Sequence, residues 1–212
     1  MSMKVYTRRQ LMLEKRKPYD AEIEYLKGDG NAYIILPFSG SSDKTTFEIE
    51  FIVTNSTRGN DRSLIGSRVS TNTRFCWASN PGFDDKTQVG YGNAYYNIGI
   101  NKIANGDLVN IKTEISEGEI TYTVTNITRG TSASHSWNTS VFTVLDFIYL
   151  FWSGVLNKSQ SSITKCIIEN DGVAAIDCFP VRIGNVGYLY NKVSKELLGN
   201  AGTGSFILGH DK

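Results

Sequence analysis

Residues 180–209 read PVRIGNVGYLYNKVSKELLGNAGTGSFILG, and this stretch decides the fold. It opens as a strand and breaks at Gly184-Asn185. It resumes through Gly187-Tyr188-Leu189-Tyr190, turns through polar residues, and closes on Phe206-Ile207-Leu208 after a Gly-rich run. Gly and Asn supply the backbone freedom that tight reversals need, while Val, Ile, Tyr and Phe suit a pleated, half-buried surface. A chain that closes this way closes in a sheet. One helical turn is expected, near residues 191–197.

Upstream, the same grammar continues. In residues 45–54, Phe47, Ile49, Phe51 and Val53 fall on one face, and Thr46, Glu48, Glu50 and Ile52 on the other. That is the period of a strand with one buried side. Residues 21–26 and 33–36 flank a Gly-containing turn, and residues 63–68 and 74–78 read as paired short strands. Residues 87–91 and 94–100 are split by Gly92-Asn93. Asn105-Gly106-Asp107 is a strong hairpin signal. Two further arms, residues 108–115 and 119–127, meet at Ser116-Glu117-Gly118; Val109, Ile111, Thr113 and Ile115 share a face. Residues 128–140 read as loop, with one short strand at His135-Ser136-Trp137. Residues 146–151 form a nearly continuous apolar run, expected to be buried on both faces, with Trp152 ending it in the core. Residues 163–169 and 173–182 make a hairpin about Asn170-Asp171-Gly172. About a dozen strands, short turns and almost no helical periodicity make an all-β, two-sheet antiparallel sandwich the expected architecture.

The chain has 212 residues, of which 40% are apolar, enough for a sizeable core and suited to one sandwich domain. Charge is unevenly placed. Residues 1–17 carry six basic side chains (Lys4, Arg8, Arg9, Lys15, Arg16, Lys17) and one acid, Glu14, leaving a net −4 on the rest of a chain whose total is +1. A basic arm on a mildly acidic body is the charge signature. Base-stacking aromatics are missing from the arm apart from Tyr6, so nucleic acid is not an expected partner. The longest apolar run is six residues (147–152), far below the ~20 needed to cross a membrane. No apolar leader is visible in residues 1–20. The three cysteines, Cys76, Cys166 and Cys178, lack metal spacing and are expected as buried free thiols.

Particular residues carry a family resemblance. Phe179-Pro180-Val181-Arg182, Gly187-Tyr188-Leu189-Tyr190 and Asn200-Ala201-Gly202-Thr203-Gly204 resemble the ending of concanavalin A-like (laminin-G-like) jelly-roll modules of gut bacteria and their phages. Ala21-Glu22-Ile23-Glu24-Tyr25-Leu26, Leu64-Ile65-Gly66-Ser67-Arg68 and residues 107–122 match in the same way. A short basic arm placed directly before such a module resembles phage virion proteins of gut Bacteroidetes. The resemblance implies a jelly roll over residues 20–212 and an attachment arm over residues 1–19. It also implies a virion structural protein (head fibre, capsid decoration or tail-associated component) assembled in the bacterial host cytoplasm. Its partners would be capsid or tail proteins, with Arg8, Arg9, Leu11, Met12, Leu13, Arg16 and Lys17 as candidate anchors. Surface glycans are a further expected partner, and a homotrimer is compatible with a fibre.

Laminarinase-type enzymes of this fold carry carboxylates in a pattern like E-x-D-x-x-E. Here Glu48 and Glu50 share a face, but Val53 stands where the third acid would be, and a retaining site needs an acid and a nucleophile about 5 Å apart. His135 and His210 lack a nucleophile-elbow context. No catalytic residue is assigned, and the expectation is a non-enzymatic protein. Two His and three scattered Cys make no zinc site. Calcium is compatible with the loop acids Asp29, Asp84 and Asp85, but no spacing identifies a site. Carbohydrate binding is the functional alternative. Sugars pack on aromatic rings with Asn completing the polar contacts, and Trp77, Phe83, Tyr91, Asn93, Tyr95 and Tyr96 are the candidate residues, with Trp137 and Trp152 beyond them.

Overall fold

Alternation writes the sheets. From Thr45 to Ile52 every second side chain is buried, so Phe47, Ile49 and Phe51 enter the core while Glu48 and Glu50 stay on the outer face. The structure, a computed structural model, describes residues 17–38, 40–54, 62–70, 73–79, 86–100, 103–144, 147–154 and 157–212, and not the side chains at 62, 69, 70 and 157. Its strands are β1 (Ala21–Glu22), β2 (Leu26–Gly28), β3 (Ile34–Pro37), β4 (Thr45–Ile52), β5 (Arg62–Ser70), β6 (Thr73–Ser79), β7 (Lys86–Gly92), β8 (Ala94–Gly99), β9 (Leu108–Ser116), β10 (Glu119–Asn126), β11 (Thr131–Asn138), β12 (Phe147–Leu150), β13 (Asn157–Lys158), β14 (Ser162–Asn170), β15 (Val173–Ile183), β16 (Val186–Asn191), β17 (Glu196–Leu198) and β18 (Phe206–Leu208). Among the described residues there is no helix.

The larger sheet runs β11-β10-β9-β4-β14-β15-β16-β17, with β1 beside β15 and β2 bridging β14 to β18. The smaller runs β3-β12-β5-β6-β7-β8; β13 joins β5 in parallel, and the other described pairings are antiparallel. The two sheets pack as a jelly-roll-like sandwich. Ile49, Phe51, Val109, Ile111, Tyr122 and Ile168 from one sheet meet Ile34, Leu36, Ile65, Phe75, Val89 and Ile148 from the other. Burying each such side chain contributes roughly 1.5–3 kcal/mol.

Two expected hairpins form as read. Glu117 and Gly118 (φ 51° and 79°) join β9 to β10, and Asp171 and Gly172 (φ 54° and 73°) join β14 to β15. Both central positions take positive φ, which Gly adopts freely, Asp171 tolerates and Glu117 accepts in the turn, and which matches the strand twist. Four local expectations are corrected. Asn105-Gly106 turns the chain, but not into a hairpin of neighbours: β8 and β9 belong to different sheets. The turn instead carries the crossover, with Gly106 N donating to Val53 O and Val53 N to Asp107 O. Residues 131–138 are a full eight-residue edge strand rather than loop. Residues 191–197 hold no helical turn; they close a β16–β17 hairpin with Lys195 at φ 64°. Finally, β12 is not buried on both faces. Ile148 and Leu150 point inward, while Phe147 and Tyr149 are half-buried outside, and Trp152 joins them there instead of ending in the core.

Both ends of the domain lock into the larger sheet. β1 pairs with the second half of β15, and β2 lies between β14 and β18. Beyond β18, Gly209 N donates to Tyr25 O, Glu24 N to His210 O and Lys212 N to Glu22 O. The Arg182 guanidinium grips Asp211 with two bonds of 2.7 and 2.6 Å.

The cysteines are free and buried, as expected. Cys166 and Cys178 face each other across β14 and β15. Burial pushes all three thiols up, that of Cys178 to about 12 with Asp177 adding to the effect. The folded protein should therefore be inert to DTNB at neutral pH and release three equivalents when unfolded in guanidinium. A thiol reacting in the native state contradicts the packing.

Candidate functional site

The edges of the two sheets meet where β8, last in the smaller sheet, faces β11, last in the larger. Ile98 sits in the core, so the period of two puts Tyr96 on the inner side of β8 and Tyr95 on the outer. On β11, His135 and Trp137 pair with Tyr122 and Ile120 of β10 and share their inward parity. A file of rings therefore runs from core to surface. Buried Tyr122 donates its hydroxyl to Gly90 O at 3.0 Å and meets Trp137 edge-on at 5.4 Å. Trp137 meets His135 at 4.5 Å, and His135 lies flat on Tyr96 at 3.8 Å with planes 4° apart. Tyr96 is 47% exposed and Tyr95 55%. The Arg74 guanidinium stands 5.0 Å from the Tyr95 ring and donates to Asn93 O at 3.4 Å. Exposed Asn97 accepts from Gln88 at 3.2 Å. The β8 edge is thus an aromatic ledge with one exposed ring on each face of the strand, Tyr96 on the inner and Tyr95 with Asn97 on the outer, and either ring can pack against a sugar while an amide bonds its hydroxyls.

The structure divides the six residues named for glycan binding. Asn93, Tyr95 and Tyr96 are all exposed along the β8 edge, Tyr95 on the outer face of the strand and Tyr96 on the inner. Trp77 does not: it is fully buried, donates its indole N–H to Ser63 Oγ at 2.9 Å, and is flanked by Arg68 and Arg74 at 5.5 and 5.4 Å. Tyr91 is buried too, its hydroxyl donating toward Ser42 O and Ser140 O at 2.8 Å and accepting from Ser140 N at 3.0 Å. Phe83 lies outside the described residues, as do the loop acids Asp84 and Asp85. His135, not among the six, is brought in by the sheet edges. Its signal was the Ala133, His135, Trp137 alternation.

Of the arm's candidates, Arg8, Arg9, Leu11, Met12, Leu13 and Arg16 lie outside the described residues. Lys17 is described, and its ammonium pairs with Glu22 at 2.7 Å. Tyr19 packs on Tyr190 and Phe179 at 5.2 and 6.0 Å, so the chain enters the sandwich over the outer face of β15 and β16.

The outer face of β4 holds the carboxylates considered for catalysis. Glu48 accepts from Lys165 at 2.8 Å and Asn110 at 3.0 Å, and Glu50 accepts from Thr164 at 2.7 Å. Partial burial pushes the Glu48 carboxyl up, but Lys165 and Asn110 outweigh it and hold it below its usual range. Glu48 is thus an ionised acceptor rather than a proton donor. Glu48, Lys112 and Glu169 line a cleft of about 200 Å³, and a second of about 380 Å³ adjoins it through Thr46, Lys112, Thr113 and Glu169. Val53 points into the core, so its position would place a third acid on the wrong face.

Asp29 is occupied by the fold. Its Oδ1 accepts from Asn31 N and Ala32 N at 2.7 and 2.8 Å, and its Oδ2 from Ser205 N at 2.7 Å, tying the first turn to the Gly-rich ending. Among the described residues no group of three or more His, Cys, Asp or Glu could hold a metal. Burial alone would raise the Asp29 carboxyl, but the three backbone donors overcome it and keep it low. A group depressed on folding stabilises above its unfolded pKa of about 4 and loses that contribution as pH falls through the folded value. Asp29→Ala should cost about 1–2 kcal/mol in urea melts at pH 7, and the gap from the parent should shrink as pH falls toward 2. A gap constant with pH contradicts the role.

No protein-family model matches the chain, and no curated protein matches it. Among solved structures, the enzymatically active domain of tailspike protein 2 of bacteriophage CBA120 is similar, with a TM-score of 0.48, 11% identity, and coverage of 69% of this chain and 25% of that one. SCP-B, a member of the eqolisin family of peptidases, covers 73% of this chain and 84% of its own at 17% identity and a TM-score of 0.40. Scytalido-glutamic peptidase covers the same shares at 16% and 0.41. The chain spans about a quarter of the tailspike domain. These are likenesses of strand arrangement and carry no residue across. They do correct one expectation. Neighbours of this architecture include peptidases and an enzymatically active domain, so the non-enzymatic reading is withdrawn.

Proposed function

We propose that this chain is a component of a phage particle, a head fibre, capsid decoration or tail-associated protein, whose sandwich binds surface carbohydrate. The observation that carries the binding reading is the ledge along the β8 edge: two exposed tyrosines on opposite faces of one edge strand, Tyr96 backed by His135 on the inner side and Tyr95 by Arg74 on the outer, with exposed Asn93 and Asn97 on the same stretch of chain. A ring already stacked on one face loses little freedom when a ligand covers the other, which favours binding. What supports the particle reading is the sequence of the ending and the basic arm. Residues 1–16 would reach a capsid or tail partner from the point where Lys17 and Tyr19 hold the chain to the sandwich.

Tyr96→Ala and Tyr95→Ala should each weaken glycan binding about fivefold to tenfold, the worth of one aromatic contact, without lowering the melting temperature by more than a few degrees. A glycan array with no signal for the parent protein overturns the binding reading. Removing residues 1–16 should abolish co-assembly with capsid or tail proteins while leaving the β circular dichroism spectrum unchanged. Unchanged incorporation overturns the anchoring.

A further inference from the structure

A second aromatic cluster lies at the opposite edge of the smaller sheet, where β3 and β12 run together. Tyr33, Tyr149 and Trp152 touch one another. Their centroids are 5.9 Å (Tyr33–Tyr149), 4.9 Å (Tyr33–Trp152) and 4.9 Å (Tyr149–Trp152) apart, and their planes are inclined by 64°, 53° and 63°. Phe147 extends the cluster 5.2 Å from Tyr149. Rings so inclined do not close into a stack, and all three are half-buried. The Lys158 ammonium stands 5.5 Å from the centre of Tyr33 and 5.2 Å from that of Trp152.

The side chains are held from three stretches of backbone, at Tyr33, at Tyr149 to Trp152 and at Lys158. Tyr33 accepts from Ala201 N at 2.9 Å and its own N–H donates to Asn200 Oδ1 at 3.2 Å. Tyr149 is registered between Ile35 and Gly66. Trp152 directly follows Phe151, whose N–H donates to Leu64 O at 2.7 Å. Lys158 is paired with Ser63, and Ser159 N donates to Phe151 O at 2.7 Å. The cluster is thus built before any ligand arrives. Among the described residues Lys158 has aromatic contacts and no carboxylate partner. A cation held against rings, with no carboxylate partner among the described residues, is complementary to a ligand that brings an apolar face and an anion together.

We propose that Tyr33, Tyr149, Trp152 and Lys158 form a binding site for an acidic saccharide. The C–H face of the sugar packs on Trp152 and Tyr149, and its carboxylate pairs with Lys158. The proposal rests on the reading of the sandwich as carbohydrate-binding, but on a site separate from the Tyr95–Tyr96 ledge. A nucleic-acid strand fits less well: bases stack on flat platforms along a basic track, whereas these rings are inclined and one lysine serves them.

The test is a fluorescence titration of the full chain with oligogalacturonate, with its methyl ester, and with sialyllactose. At least one of the two acids should bind. Where oligogalacturonate binds, its methyl ester should bind roughly tenfold more weakly or worse, as expected when a charge-assisted contact is lost. Lys158→Gln should weaken the acids to the same degree while leaving neutral-glycan binding unchanged. Trp152→Ala, checked for folding by its melting temperature, should abolish acid binding. Tyr96→Ala should leave it intact. Ester and acid binding equally, acid binding insensitive to Lys158→Gln, no binding of either acid, or tighter binding of a single-stranded oligonucleotide each overturn the proposal. If neutral glycans still bind through Tyr96 while both acids fail, this site falls and the ledge stands.

Discussion

The sandwich depends on how the strip from Ala21 to Gly28 satisfies its backbone. Ala21 and Glu22 add to β15, while Leu26 to Gly28 are paired on both sides, by β14 and by β18. A buried amide left without a partner costs as much as a lost hydrogen bond, so the strip holds the domain's start and its end in one ladder. Asp29 then fastens the first turn to Ser205, and Arg182 fastens the last residues through Asp211. The Gly-rich ending is part of this clasp. A Cβ at Gly202 would strike Asn31 O, and one at Gly204 would strike the Asp29 carboxylate, so these glycines serve close approach rather than flexibility.

The two sheets meet again at the β8–β11 edge. There the core ends in a graded file of rings, Tyr122, Trp137, His135 and Tyr96, from fully buried to half exposed. Sealing an open sandwich edge with aromatic rings serves stability, because the rings cover apolar area that no strand covers. Tyr96 ends the file 47% exposed, so the rings that seal the edge include the one proposed to meet a ligand. The cluster at β3 and β12 repeats the theme at the other edge of the smaller sheet, with a lysine in place of the histidine.

Much of this was legible in the sequence. The β4 alternation, the β9–β10 and β14–β15 hairpins, the buried thiols and the two-sheet build follow from local period and turn chemistry. Asn93, Tyr95 and Tyr96 were read as candidates and lie on the surface. Trp77 and Trp152 exchanged the places expected for them. Trp77 is enclosed because Arg68 and Arg74 cover the outer face of β5 and β6. Trp152 is half exposed because the apolar run before it has one face to the core and one face outward. His135 was not read as part of this edge because its partner, Tyr96, lies in the other sheet.

The sequence by itself determined where strands run, which way their side chains alternate and where the chain reverses, since these are set by residues two to four positions apart. Only the tertiary structure decided which aromatic rings meet solvent. The exposure of a strand residue depends on which strand lies beside it and on whether another layer covers that face. Neighbours such as β8 and β11, or Tyr33 and Trp152, are brought together by the packing of the sheets and not by their spacing along the chain.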